Sequence, residues 1–360
     1  MSITAVLALS ACGSAQANDS GGEGGTLNVV TTTTQLTDFA AEIGGDDISL
    51  TGLLPVGASA HHFDPSPKEL LALGNADVLI VNGAGLEGFI DSAIEASGFS
   101  GTLITAADGI ELEEEEHADD EHADEHDHEA EEEHADEEHA DEEEHADEAG
   151  HDHEAEEDHA DEADEHDHDH GGVNPHIWTS PRNAAGMVAE IAHGLADADP
   201  DHAAEYEERA EAYEAKLNTL DEWISAQFDK VPAEERVLVS GHDSLHYYLD
   251  DYGIEFAGSI IPSFEDNAEP SAAEIDALVA TIKERGVKAV FVESSMSPKL
   301  AQTIAKEAGV EVVDAESLYA DSLGAEGSGG ETYIGATIHN TQVILEAWGT
   351  TTDAVPAELE

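Results

Sequence analysis

The chain has 360 residues, with 84 acidic and only 11 basic side chains, and a formal net charge of −73. A surface of that sign repels nucleic acid and anionic lipid, which excludes both as expected partners. It also suits a high-salt milieu, where screening shortens the self-repulsion.

The single cysteine, Cys12, rules out an intrachain disulfide. Ile3 to Leu9 is a short apolar run, and the following Leu9-Ser10-Ala11-Cys12-Gly13 resembles a lipobox, whose cysteine is lipidated in bacterial-type lipoproteins. The run is too short to span a bilayer and lacks the basic residues that usually open a signal peptide. Residues 13–25, rich in Gly, Ser, Asn and Asp, read as a flexible tether. Residues 1–25 are therefore expected to be signal and tether. The mature chain would be lipid-anchored at the outer face of the cytoplasmic membrane.

Thr26 to Thr34 reads as a β-branched strand, Asp38 to Ile43 as a short helix and Asp47 to Leu54 as a second strand. A loop runs from Pro55 through His61 and His62 to Pro67, and Lys68 to Gly74 is helical. Val78 to Val81 is a buried-type strand, followed by a helix over Leu86 to Ala96 and a strand over Thr102 to Thr105. Such alternation implies a parallel sheet covered on both faces, with ligands meeting the loops at the carboxyl ends of its strands.

Residues 113–170 interrupt this pattern with 34 Asp or Glu and 13 His in 58 positions, and no Lys or Arg. No hydrophobic period exists there, and like-charge repulsion favours an extended, disordered loop. Acidity alone would account for solubility. The clustering of His117, His122, His126, His128, His134, His139, His145, His151, His153, His159, His166, His168 and His170 needs another reason. Imidazole and carboxylate together suit borderline divalent metals, so the tract reads as an accessory, low-affinity collector of zinc or a similar cation.

After the tract, a helix is expected from Pro181 to about Ala198 and a longer one from Asp201 to Phe228. Tyr206, Ala210, Tyr213, Leu217, Leu220, Ile224 and Phe228 form one apolar stripe on the longer helix, which is long enough to bridge two lobes. Strands follow at 236–240, 254–259, 289–292 and 310–313, with helices at 244–251, 271–285, 298–308 and 332–348. The expected fold class is α/β, two parallel-sheet lobes joined by one long helix. Residues 26–112 and 171–199 would form the N-terminal lobe, 200–230 the linking helix, 231–350 the C-terminal lobe and 351–360 a tail.

Outside the tract, His61, His176 and His242 fall in loops after expected strands or at helix mouths, whereas His193 and His202 lie on polar helix surface. Four motifs then carry a resemblance. Pro55-Val56-Gly57 through Ala60-His61-His62-Phe63-Asp64-Pro65 comes first, and Asn174-Pro175-His176-Ile177-Trp178 second. Ser240-Gly241-His242-Asp243-Ser244 is the third, and Asp321-Ser322-Leu323-Gly324 with Tyr333 and Asn340 the fourth. In this order, and with Val292-Glu293-Ser294-Ser295 between the last two, they resemble the zinc/manganese solute-binding proteins of ABC importers. The His-rich acidic insert before the second motif is similar to that of the family's zinc members.

The resemblance implies four metal ligands, His61, His176, His242 and Asp321, two from each lobe, closing a cleft on the ion. Manganese members of that family carry a carboxylate at the third position, so His242 favours Zn2+ over Mn2+ as the transported ion. Two positions keep a neighbouring alternative: His62 adjoins His61, and Asp314 also lies near a strand end. The family's usual Pro is Ala60 here. Glu293, at a strand end, either orients a ligand histidine or caps a helix. The implied protein is a monomer that delivers zinc to an ABC permease, with only a small rocking of its lobes. A zinc hydrolase built on His242 and His246 is disfavoured, because Asp243 stands where such enzymes place Glu and a catalytic zinc keeps one position open. A surface zinc buffer acting through the tract alone would not need two lobes.

Overall fold

Short aliphatic runs alternating with amphipathic segments build two parallel sheets. The computed structural model describes residues 26–112, 173–263, 268–294, 297–313 and 318–359. Cys12, the histidines of the 113–170 tract and Asp314 lie outside the described residues.

The first sheet contains β1 (Leu27–Thr31), β2 (Ile48–Gly52), β3 (Val78–Val81) and β4 (Thr102–Thr105), in the order β2-β1-β3-β4. Every residue of β3 is buried, which is why its Val-Leu-Ile-Val run shows no polar alternation. The second sheet repeats the plan with β5 (Val237–Ser240), β6 (Glu255–Ser259), β7 (Ala289–Val290) and β8 (Glu311–Val312), in the order β6-β5-β7-β8. In each sheet the winding reverses beside the first strand, which opens a crevice at the carboxyl ends of the strands.

Nine α-helices are found among the described residues. In the first half are α1 (Thr34–Gly44), α2 (Pro67–Gly74), α3 (Ile90–Ser97) and α4 (Pro181–Ala198). The linking helix α5 (Ala203–Phe228) precedes α6 (His246–Asp251), α7 (Ala272–Arg285), α8 (Pro298–Ala308) and α9 (Tyr333–Ala347). Side-chain caps set several starts: Thr33 accepts from the N–H of Leu36, Ser180 from Asn183 and Thr332 from Gly335. Ser66 with Glu69, and Ser271 with Glu274, form reciprocal capping boxes.

Helices α3 and α6 begin later than the sequence implies, for identifiable reasons. Helix α3 starts at Ile90 rather than Leu86, because Gly83, Ala84 and Gly85 all take positive φ. The same turn draws Glu87 inward, where it accepts from the N–H groups of Asn82 and Gly83 and the hydroxyl of Thr32. Helix α6 starts at His246 rather than Ser244, because the Ser244 hydroxyl donates to Glu293 instead of capping the helix.

All seven predicted stripe residues of α5 are buried, together with Trp223 and Gln227. At 26 residues the helix is about 39 Å long. It packs against α4, α1 and α9, so it runs along both lobes rather than crossing an open gap. One continuous core extends from the first sheet through α4 and α5 to Leu238, Leu249 and Phe291 of the second lobe. A separate, smaller core fills the other face of the second sheet under α7 and α8. Shared packing of this kind resists wide hinge opening and permits small shear.

Asp38 ties three of these helices together. Its carboxylate accepts from the N–H of Tyr333 on α9 at 2.9 Å and from the hydroxyl of Tyr213 on α5 at 3.3 Å. Burial pushes its carboxyl up to about 6, outweighing the pull of the Tyr333 N–H, and Glu42 adds to the rise. Below about pH 4 the proton is held in folded and unfolded chains alike. Between there and pH 6 only the folded chain holds it, so this group makes stability fall as pH rises through that window. Asp38→Asn is expected to raise the unfolding free energy at pH 7.5 by roughly 2–3 kcal/mol and leave it unchanged near pH 3.5. Urea denaturation at both pH values checks this, and destabilisation at both would contradict it.

Candidate metal centre

The predicted ligands lie on loops, His61 and His242 after strands and His176 ahead of α4. His61 lies in the loop after β2, whose course is fixed where Leu53 and Leu54 donate to the carbonyls of Thr31 and Thr32. His176 precedes the short turn into α4, and its backbone is held from both sides. Asn82 donates through its side chain to the Pro175 carbonyl at 3.0 Å, and the His176 N–H donates to Asn174 Oδ1 at 3.1 Å. His242 follows β5, its carbonyl accepting from the Ser240 hydroxyl at 2.6 Å. Asp321 lies on a segment that pairs with the strand end at Glu293 through a bridge to Leu318.

These four residues converge. His61 Nε2 is 3.1 Å from His176 Nε2, and His242 Nε2 is 3.3 Å from the same atom. Asp321 Oδ1 is 3.3 Å from Nε2 of both His176 and His242. One donor atom from each of the four residues lies within 4.8 Å of all the others, the only such cluster among the described residues. His176 and His242 are fully buried and Asp321 nearly so, while His61 is half-buried. A tetrahedral zinc ion with bonds of about 2.0–2.1 Å spaces its donor atoms about 3.3–3.4 Å apart. The closest spacings here match that edge length.

The orientation of the rings supports the same chemistry. His176 Nδ1 is 2.8 Å from Asn174 Oδ1, an acceptor, so Nδ1 carries the proton and Nε2 presents its lone pair to the cluster. Glu293, fully buried, places Oε1 3.5 Å from His242 Nδ1. It also accepts from Ser244 Oγ at 2.9 Å. The geometry therefore sets Glu293 behind a candidate ligand, and α6 does not begin until three residues after Asp243. Burial pulls the His242 imidazole down, but the carboxylates of Asp321 and Glu293 outweigh it and hold the ring well above its usual value. Burial likewise raises the Asp321 carboxyl, yet His242 and His176 hold it well below the usual carboxylate range. The buried carboxylates of Asp321 and Glu293 thus favour positive charge at the cluster.

The neighbouring histidines are elsewhere. His62 is exposed, with its ring 6.2 Å from that of His61. His246 opens α6 and stands outside the four-residue cluster, as do His193, which is exposed, and His202, which pairs with Asp199 at 2.7 Å. His339 packs its ring against Tyr319. Asn174 was not singled out by the sequence reading as a partner of His176. Its signal is an amide two residues before a ligand histidine, a spacing at which side chain and backbone can meet the same residue.

Comparison with known proteins agrees with this architecture. The family model described as "Zinc-uptake complex component A periplasmic" (ZnuA) matches residues 29–347. The manganese-binding lipoprotein MntA of Halalkalibacterium halodurans is 29% identical over 346 residues, covering 94% of this chain and 95% of that protein. The iron-binding protein YfeA of Yersinia pestis is 25% identical over 323 residues, covering 90% and 86%. Among solved structures, the periplasmic zinc-binding protein TroA from Treponema pallidum superposes with a TM-score of 0.69 at 23% identity, covering 90% of this chain and 99% of that one. Two parallel-sheet lobes, convergent donors at their carboxyl ends and a family match across most of the chain lead to one conclusion. The chain belongs to the ZnuA family, the metal-binding components of ABC metal importers, and is a binding protein rather than an enzyme.

Proposed function

We propose that the protein captures Zn2+ between its lobes, through His61, His176, His242 and Asp321, and delivers it to an ABC permease. The observation that carries this reading is the donor set itself: three imidazole nitrogens and one carboxylate oxygen within 4.8 Å of one another, with four of their separations at 3.1–3.3 Å. Neutral imidazole suits zinc, and four ligands complete its usual structural coordination. Manganese(II) favours harder oxygen donors and octahedral sites, which ranks it second here. The name of the Halalkalibacterium relative supports that second reading, a manganese importer component. Glu293 would orient His242, as Asn174 would orient His176.

Two peripheral features complete the proposal. Lipidation at Cys12 would keep the protein beside its permease, and the histidines of the 113–170 tract would gather zinc loosely before it passes to the cleft. Transfer would then run from the tract to a buried, preoriented set of ligands.

Titration calorimetry of the soluble form starting after Cys12, with residues 113–170 deleted, tests the central assignment. One tight zinc site is expected, with manganese at least about tenfold weaker. His176→Ala should abolish tight zinc binding, because it removes the one nitrogen that neighbours all three other donors. Manganese binding tighter than zinc would overturn the choice of metal, and an unchanged zinc site in His176→Ala would overturn the ligand set. Zinc must also displace protons from imidazolium, and the His242 ring holds its proton well above the ordinary value of about 6.5. Affinity is therefore expected to fall between pH 7.5 and pH 5.5, with proton release visible as a dependence of the binding heat on buffer; a pH-independent affinity would contradict imidazole ligation.

A further inference from the structure

The segment that carries Asp321 is held by two different lobes, and the change-over falls at the residue before it. On its own side, the Leu318 carbonyl accepts from the N–H of Ser294 at 3.0 Å. Asn340 of α9 brackets Tyr319, accepting from its N–H and donating to its carbonyl, each at 2.8 Å. From Ala320 onward, backbone and hydroxyl bonds reach across to the first lobe. The Ala320 carbonyl accepts from Gln35 Nε2 at 2.8 Å and from the indole N–H of Trp178 at 3.0 Å. The N–H of Gly57 donates to Ser322 Oγ at 2.8 Å, and the N–H of Leu323 donates to Thr34 Oγ1 at 2.9 Å.

Gln35 is locked for this task. It is 2% exposed, and its own Oε1 accepts from the Thr34 hydroxyl at 3.1 Å, which turns Nε2 towards Ala320. Trp178 reaches the same carbonyl from two residues beyond His176, with its ring edge-on to that histidine at 5.3 Å. The Ala320 carbonyl and the Asp321 nitrogen share one peptide plane, so two donors on that oxygen fix the plane from which the Asp321 side chain departs. A small cavity lined by Gln35, Trp178, Tyr319, Leu323 and Asn340 lies beside the segment. Directed bonds, more than close packing, therefore set its course.

The geometry points to Gln35 and Trp178 as positioning residues for Asp321: by gripping the Ala320 carbonyl across the lobes, they bring the carboxylate to the ion only when the lobes are together. This rests on the reading of Asp321 as a metal ligand. Parting the lobes breaks the bonds at Ala320, Ser322 and Leu323 as it withdraws the carboxylate, so retention of the ion and closure of the cleft are one event.

The test is a double-mutant cycle on the full chain with cobalt(II), whose intense visible bands report the four-coordinate site and not the six-coordinate, water-rich binding expected of exposed carboxylates. Gln35→Leu, which keeps bulk but removes the donor, should weaken cobalt binding by about tenfold. Trp178→Phe, which keeps a ring beside His176 but removes the N–H, should weaken it in the same direction. In an Asp321→Ala background, Gln35→Leu should change affinity by less than about twofold, because its effect passes through the missing carboxylate. Equal losses in both backgrounds, or full affinity in Gln35→Leu, would overturn the proposal. If Asp321→Ala itself binds cobalt as the parent does, the ligand assignment fails first, and that result is distinct from a failure of the grip alone.

Discussion

Four donor atoms from the two lobes converge to within 4.8 Å of one another, three of them on buried side chains. Two imidazole nitrogens facing one another at 3.1–3.3 Å cannot both present lone pairs without a shared positive charge between them. A proton can supply that charge, as the elevated His242 ring shows, and a divalent cation supplies it to all four donors at once. The rest of the molecule serves this convergence. Parallel strands end on one side, their loops carry the donors, and a common core under α4, α5 and α9 keeps the two sets in register.

That core also limits how the protein can move. Phe228, at the end of α5, packs against Tyr248, Tyr252 and Trp348 of the second lobe. Arg182 of α4 pairs with Asp221 of α5 at 3.1 Å and Asp251 of α6 at 2.9 Å. Such contacts form a broad seam rather than a two-stranded hinge, and rocking over a seam displaces ligand loops by small amounts. The interlobe bonds around Ala320 adjoin this seam, since Tyr248 also lines the cavity beside them. Closure coupled to binding, as proposed, would then need no large change of shape.

Much of this was legible in the sequence, and the reasons are local. The Val-Leu-Ile-Val run of β3 and the three-and-four spacing along α5 follow periods set by backbone geometry, so both appear where expected. His61, His176, His242 and Asp321 were named from motif order, and the folded chain brings them together. What the sequence did not reveal depends on contacts distant along the chain. The late start of α3 accompanies Glu87 reaching to Thr32, 55 positions back, and that of α6 accompanies Ser244 turning to Glu293, 49 positions on. Gln35 falls between the expected first strand and helix and carries no local sign of its partner at Ala320, 285 positions away. Propensity and pattern carry no information about such pairings until the sheets are docked.

The most direct test is an anomalous diffraction map at the zinc edge, from crystals of the full chain loaded with one equivalent of zinc. The account predicts one dominant peak bounded by Nε2 of His61, His176 and His242 and a carboxylate oxygen of Asp321, each about 2.0–2.2 Å away. A dominant peak elsewhere, or one in the cleft that excludes either His242 or Asp321, would contradict it.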